Sequence, residues 1–203
     1  MRVVLIAAAI LAGDVNPSGK LPFTFPAALE EVGAHKLGDY PGVLRADGSN
    51  IVDEEYNEGI FVGYRWADKQ KTKPLFPFGH GLSYTTFKYG KAVADKKVMG
   101  ADETLTITVP VTNTGSREGS EVVQLYISDL KSSLPRPVKE LKGFSKVRLA
   151  PGETKEITFT VNEDALKFFD DTRHQWVSEA GKFEAVIASS AIDVKSRVPF
   201  ELK

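Results

Sequence analysis

The chain has 203 residues, 42% hydrophobic and 26% charged, enough for one well-buried core with a substantial appendage. A formal net charge of -1, with lysines interleaved among acids, excludes a partner held by phosphate neutralisation, so no nucleic acid is expected. The absence of cysteine excludes disulfides, thiolate catalysis and cysteine-ligated metals.

The N-terminal run "MRVVLIAAAILAG" (1–13) has one basic residue, a short apolar stretch and small residues, and so imitates a secretory signal. It falls short of the about 20 apolar residues that span a bilayer, and no membrane insertion is expected. Because it flows directly into the turn "GDVNPSG", it is read as a buried helix end closed by Gly13. "NPSGKLP" (16–22) is a turn, with Pro17 fixing φ and Gly19 free to reverse it. The segment 28–50 keeps no period and is expected to be mostly loop.

"EGIFVGYRWAD" (58–68) is rich in β-branched and aromatic residues on both parities and predicts a strand buried on two faces. "PLFPFGHGLSYTTF" (74–87) crowds rings among prolines and glycines. Beyond Tyr89 the pattern is β throughout. "TLTITVPVTNTG" alternates, with Leu105, Ile107, Val109 and Val111 on one face and threonines on the other. Pro110 inside it predicts an edge strand or a bulge. Val123, Leu125 and Ile127 share a face in the next run, and Ile157, Phe159 and Val161 in a later one. "EDALKFFDD" reads as a short helical link, "HQWVSEAGKFEAVIASS" as a hairpin turning near Glu179–Gly181, and "SRVPFEL" as a final strand. Strands at this spacing with turn chemistry between them predict an antiparallel β-sandwich.

In order along the chain, "GDVNPSGKLPFTFP", "EGIFVGYRWAD", "PLFPFGHGLSYTTF" and the run from "VTNTGSREGSEVVQLYISDL" to "APGETKEITFTV" resemble the C-terminal part of family 3 glycoside hydrolases, the β-glucosidase and β-xylosidase family. The resemblance implies a mainly β chain: a fibronectin type III-like (immunoglobulin-like) sandwich over 89–203, preceded by a remnant of an α/β sandwich domain over 1–38. Between them, 39–88 would be an extended aromatic linker packed on its neighbours. It also implies missing partners, a (β/α)8 barrel and the rest of the α/β sandwich, and a β-linked oligosaccharide as substrate of the complete enzyme. Retaining hydrolysis uses two carboxyls about 5–5.5 Å apart. By resemblance both stand upstream of anything matching Met1, so no catalytic residue is expected in this chain and no cofactor is implied. The compartment is left open; a periplasmic or secreted parent enzyme is compatible with the sequence.

The densest acidic group, Asp53, Glu54, Glu55 and Glu58, is read as a solvated loop for the first three and a structural hydrogen-bonding role for Glu58. If the segment borders a sugar pocket, Glu58 and Arg65 would support that pocket's residues from behind. His35, His80 and His174 lack paired ligand spacing, and no metal is expected. His80 stands where the family often has Tyr, which argues against a catalytic duty. Trp66 and Trp176 are candidate sugar-stacking rings, but the preferred reading puts Trp66 in a domain seam and Trp176 in the core or rim of the sandwich. Phe76, Phe78, His80, Tyr84 and Phe87 are assigned to that seam. Three roles follow, in order: a structural, stabilising module of a family 3 glycosidase, a stand-alone carbohydrate- or surface-binding module, and an enzyme in its own right. Without its sheet, the apolar helix Val3–Leu11 would be disordered, cover the sandwich or mediate self-association.

Overall fold

A computed structural model describes residues 2–203. Helix α1 (Arg2–Ala12) ends at Gly13, whose φ of +83° allows its N–H to close on the Ile10 carbonyl. A 3-10 turn (Leu29–Glu31), the short helix α2 (Gly33–Leu37) and a two-stranded hairpin, β1 (Val43–Leu44) with β2 (Val52–Asp53), follow.

The expected strand at 58–68 does not form. Its second half is helix α3 (Tyr64–Gln70), entered through Gly63 at φ +62° and left through Lys71 in the left-handed region. The apolar positions that look two-faced to a strand are wound into a helix: Trp66 and Ala67 turn inward while Arg65 and Lys69 remain at the surface.

The remainder is a two-sheet sandwich. One sheet has the order β5 (Val98–Met99), β13 (Val194–Leu202), β12 (Gly181–Ala188), β7 (Gly119–Asp129) and β8 (Glu140–Leu149); β5 runs parallel to β13 and the other pairs are antiparallel. The other sheet is centred on β6 (Leu105–Asn113). Strand β9 (Thr154–Val161) pairs with it from Leu105 to Thr112, and β3 (Phe87–Tyr89) and β4 (Val93–Ala94) share its opposite side.

Pro110 therefore lies in a central strand. Its missing N–H falls between β3 and β4, where lateral pairing is already interrupted, and Gly90 leaves the space its ring needs. Register sends Leu105, Ile107, Val109 and Val111 of β6 into the core beside Ile157, Phe159 and Val161 of β9. The outer threonines form a cross-strand ladder, with Thr112 and Thr154 hydroxyls 2.7 Å apart. Val123, Leu125, Ile127, Phe183, Ala185, Ile187 and Phe200 close the core from the facing sheet.

The link after β9 is a 3-10 turn (Glu163–Ala165) capped by Asn162. The expected hairpin at Glu179–Gly181 is not there. Strand β11 (Gln175–Val177) instead pairs back on β10 (Phe168–Asp170), in register Phe169 to Trp176 and Asp170 to Gln175. The "DDTRH" turn reverses the chain there: the Asp170 carboxylate accepts from the backbone N–H of Thr172 and Arg173, and His174 takes φ +52°.

Candidate functional site

The outer face of β7 and β12 is covered as well. Tyr126, Val186 and Ala188 form a small cluster under Tyr64 of α3, Leu141 and Val194. The Tyr64 ring meets Tyr126 edge-on at 5.6 Å and Phe78 at 5.3 Å. The Tyr64 hydroxyl accepts from the Leu141 N–H at 2.9 Å. One turn on, Asp68 pairs with Lys139, both largely buried. Burial, with the Tyr64 hydroxyl and the Asp68 carboxylate nearby, pushes the Tyr126 hydroxyl well above its ordinary range, and it donates to Gln124 Oε1 at 2.5 Å.

On the opposite side of α3, Trp66 is only 6% exposed and donates its Nε1–H to the Glu31 carbonyl at 3.0 Å. Helix α3 therefore rivets the N-terminal segment to the sandwich, and the Trp66 ring is not open to a sugar. Glu58 is also buried, against Gly33, but its Oε2 has no hydrogen-bond partner, contrary to the structural hydrogen bonding expected of it. Glu58 and Arg65 are not brought together: Arg65 reaches Glu140 of β8 at 3.5 Å.

The aromatic stretch 74–87 zips onto the N-terminal segment. Phe25 and Phe76 exchange backbone hydrogen bonds at 2.8 and 3.3 Å, Leu21 N–H reaches the His80 carbonyl, and Gly79 N–H reaches the Leu21 carbonyl. Phe76 packs on Phe25 and His80 but remains partly open to solvent. The Tyr84 hydroxyl donates to the Ile10 carbonyl at 2.8 Å, tying down the end of α1. Phe87 belongs to β3 and packs on the sandwich core. A Cβ at Gly79 would overlap the Gln124 amide, and one at Gly81 the Gly19 carbonyl, which accounts for both glycines.

Asp39, Asp53 and Glu55 line one shallow depression beside Gly42 and Val43. Each is already engaged: Asp53 in a bidentate pair with Arg45 at 2.6–2.9 Å, Asp39 and Glu55 by the Asn57 side chain at 2.7 and 2.8 Å. Among the described residues no group of His, Asp or Glu is arranged to hold a metal ion.

A second region lies where α3, the loop before β8 and the β10–β11 hairpin meet, in an open groove of about 540 Å³. Trp176 is here, outside the core: 66% of its surface is exposed, and its ring meets Phe169 at 5.8 Å. Arg136 is buried beneath, donating to Asp129 at 2.9 Å, to the Leu166 carbonyl at 2.9 Å and to Glu140 at 2.6 Å. Lys142 is the extra residue of a β-bulge, since Leu125 pairs with Gly143 and Tyr126 with Leu141. Burial pulls the Lys142 ammonium below its ordinary value, against the opposing pull of Glu140. Arg136, Glu140 and Lys142 are not singled out by the sequence; the bulge and the hairpin place them in one groove with Trp176.

With this geometry in view, comparison with known proteins is specific. The glycosyl hydrolase family 3 C-terminal domain matches residues 5–84, and the fibronectin type III-like domain matches residues 121–191. The chain is 50% identical over 194 residues to beta-glucosidase BoGH3A of Bacteroides ovatus, covering 95% of this chain and 25% of that protein. It is 46% identical over 185 residues to thermostable beta-glucosidase B of Acetivibrio thermocellus, 91% of this chain and 23% of that one. Among solved structures, the DesR beta-glucosidase of Streptomyces venezuelae, in complex with D-glucose, superposes with a TM-score of 0.85 at 40% identity, covering 97% of this chain and 24% of that one. The Bifidobacterium adolescentis GH3 beta-glucosidase superposes with a TM-score of 0.84 at 36% identity, covering 96% and 27%. The chain spans about a quarter of the length of the curated relatives it matches.

Proposed function

We propose, from the premise that this chain carries the C-terminal and fibronectin type III-like domains of the family 3 glycosyl hydrolases, that it is a structural module of a β-glucosidase and has no catalytic carboxylates of its own. In the complete enzyme, retaining hydrolysis of β-linked glucosides or xylosides would be carried out by two carboxyls on a barrel and on the upstream part of the α/β sandwich. One observation carries this reading. The sandwich closes its core with its own strands, whereas α1 and the segment after it leave Leu5, Ile6, Leu11, Phe23 and Leu29 open to solvent. An apolar helix face of this kind is stable when another layer covers it, and the upstream α/β sandwich would supply that layer. Glu58 and Arg65 would then brace the module: Glu58 beneath the seam at Gly33, Arg65 across to β8.

The test is a chimera. The C-terminal quarter of BoGH3A is replaced by this chain, and hydrolysis of an aryl β-glucoside is compared for the chimera, the upstream three-quarters alone and this chain alone. Activity is expected only in the chimera. Turnover by the isolated chain that is lost with Asp53→Asn would overturn the proposal, as would an inactive chimera beside an active parent.

A further inference from the structure

The open groove on the sandwich is not used by the module role, yet it is built in an unusual way. Phe169 and Trp176 lie directly opposite each other on a hairpin of two three-residue strands, and the two residues are 49% and 66% exposed. An indole held this far out on a short hairpin exposes a large apolar face that none of the described residues covers. The rim around the rings is polar. Lys142 is the extra residue of its bulge, and its ammonium stands 3.9 Å from Glu140, an ion pair beyond hydrogen-bond reach. Arg65, Glu140, Asp171 and Lys167, the last paired with Glu163 and Asp164, also line the groove. Pro135 and Pro137 fix the backbone of the facing wall.

We propose that this groove binds a β-linked pyranose chain. A pyranose with equatorial linkages and hydroxyls presents a flat face of axial C–H groups and a rim of hydroxyls. The C–H face packs on Trp176, with Phe169 as the second wall. The rim hydroxyls accept from Lys142 and Arg65 and donate to Glu140 and Asp171, replacing the water those charges lose. A folded protein surface laid on the same rings would bury the Glu140–Lys142 pair without replacing that water, a cost that sugar hydroxyls avoid. The inference goes beyond the module role and stands without it.

The 203-residue chain is run on native gels containing soluble mixed-linkage β-glucan or, as control, α-linked pullulan. Retardation is expected in β-glucan alone, and Trp176→Ala is expected to bind about tenfold more weakly at an unchanged melting temperature. In Trp66→Phe, where Trp176 is the sole indole, cellohexaose is expected to shift the emission to shorter wavelength. Equal mobility in both gels, equal retardation of wild type and Trp176→Ala, or an emission unmoved by cellohexaose would each overturn the proposal.

Discussion

The sandwich and the segment before it are made from similar proportions of apolar residues, yet they treat them differently. In the sandwich each inward-facing residue meets another from the facing sheet, and Leu105, Ile107, Val109 and Val111 have no exposed surface at all. In residues 5–62 the larger apolar side chains lie mainly at the surface, and Leu11 is 85% exposed. Two sheets bury each other within one chain, but a lone helix and a short hairpin have faces that only a further layer can cover. The lesson is that hydrophobicity alone does not make a domain; the number of layers does. Helix α3 belongs to both regions, with Trp66 facing one and Tyr64 the other.

This contrast can be broken experimentally. The largest effect is expected at the centre of the sandwich, where Phe183→Ala should remove about 3–5 kcal/mol, read from urea unfolding. Trp66→Ala should cost about 3 kcal/mol locally: amide exchange should quicken around Glu31, Gly33 and α3, while β6, β7 and β12 keep their protection. Equal loss across both regions would show one cooperative unit and end the distinction. Gly79→Ala must displace the Gln124 side chain and hold φ +80°, and should lower stability by about 1–3 kcal/mol in thermal melts. Leu11→Ala should change the stability of this chain by less than about 0.5 kcal/mol, yet weaken assembly with the upstream domains in the chimera. A substantial drop in the chain alone would mean that the helix is already covered, for example by self-association.

Much of the sandwich was legible in the sequence. Period-2 alternation is local, so the inward faces of β6, β7 and β9 follow from single stretches of chain. The misread elements are those whose apolar pattern is short or serves two partners. "GYRWAD" looks like a strand buried on both faces because its rings do pack in two directions, but a helix delivers them. The β10–β11 pairing was missed because a three-residue strand carries no period to read. A proline inside a strand pattern points to an edge or a bulge, because sequence does not reveal that the neighbouring partner is split into two short strands at that point.

The candidate sites divide the same way. The family 3 resemblance came from motifs contiguous along the chain, and it anticipated a chain matching the C-terminal part of larger β-glucosidases. The seam residues stood out by composition, but which rings are buried did not: Phe78 is packed under Tyr64 while Phe76 and Tyr84 stay partly open. Trp176 was visible as a residue and hidden as a site, since its neighbours Arg65, Glu140 and Lys142 come from elements far apart in sequence.

Fold class, the inward-facing residues of the long strands and the likeness to family 3 glycosyl hydrolase domains are legible along the chain, because alternation and motif order are properties of the chain read in one direction. Tertiary structure alone decided that α3 joins two regions, that Lys142 of the bulge lines a groove, and that Trp176 is left uncovered. Each of these depends on which distant surface arrives to bury a side chain, and burial is a property of the packed layers rather than of any stretch of sequence.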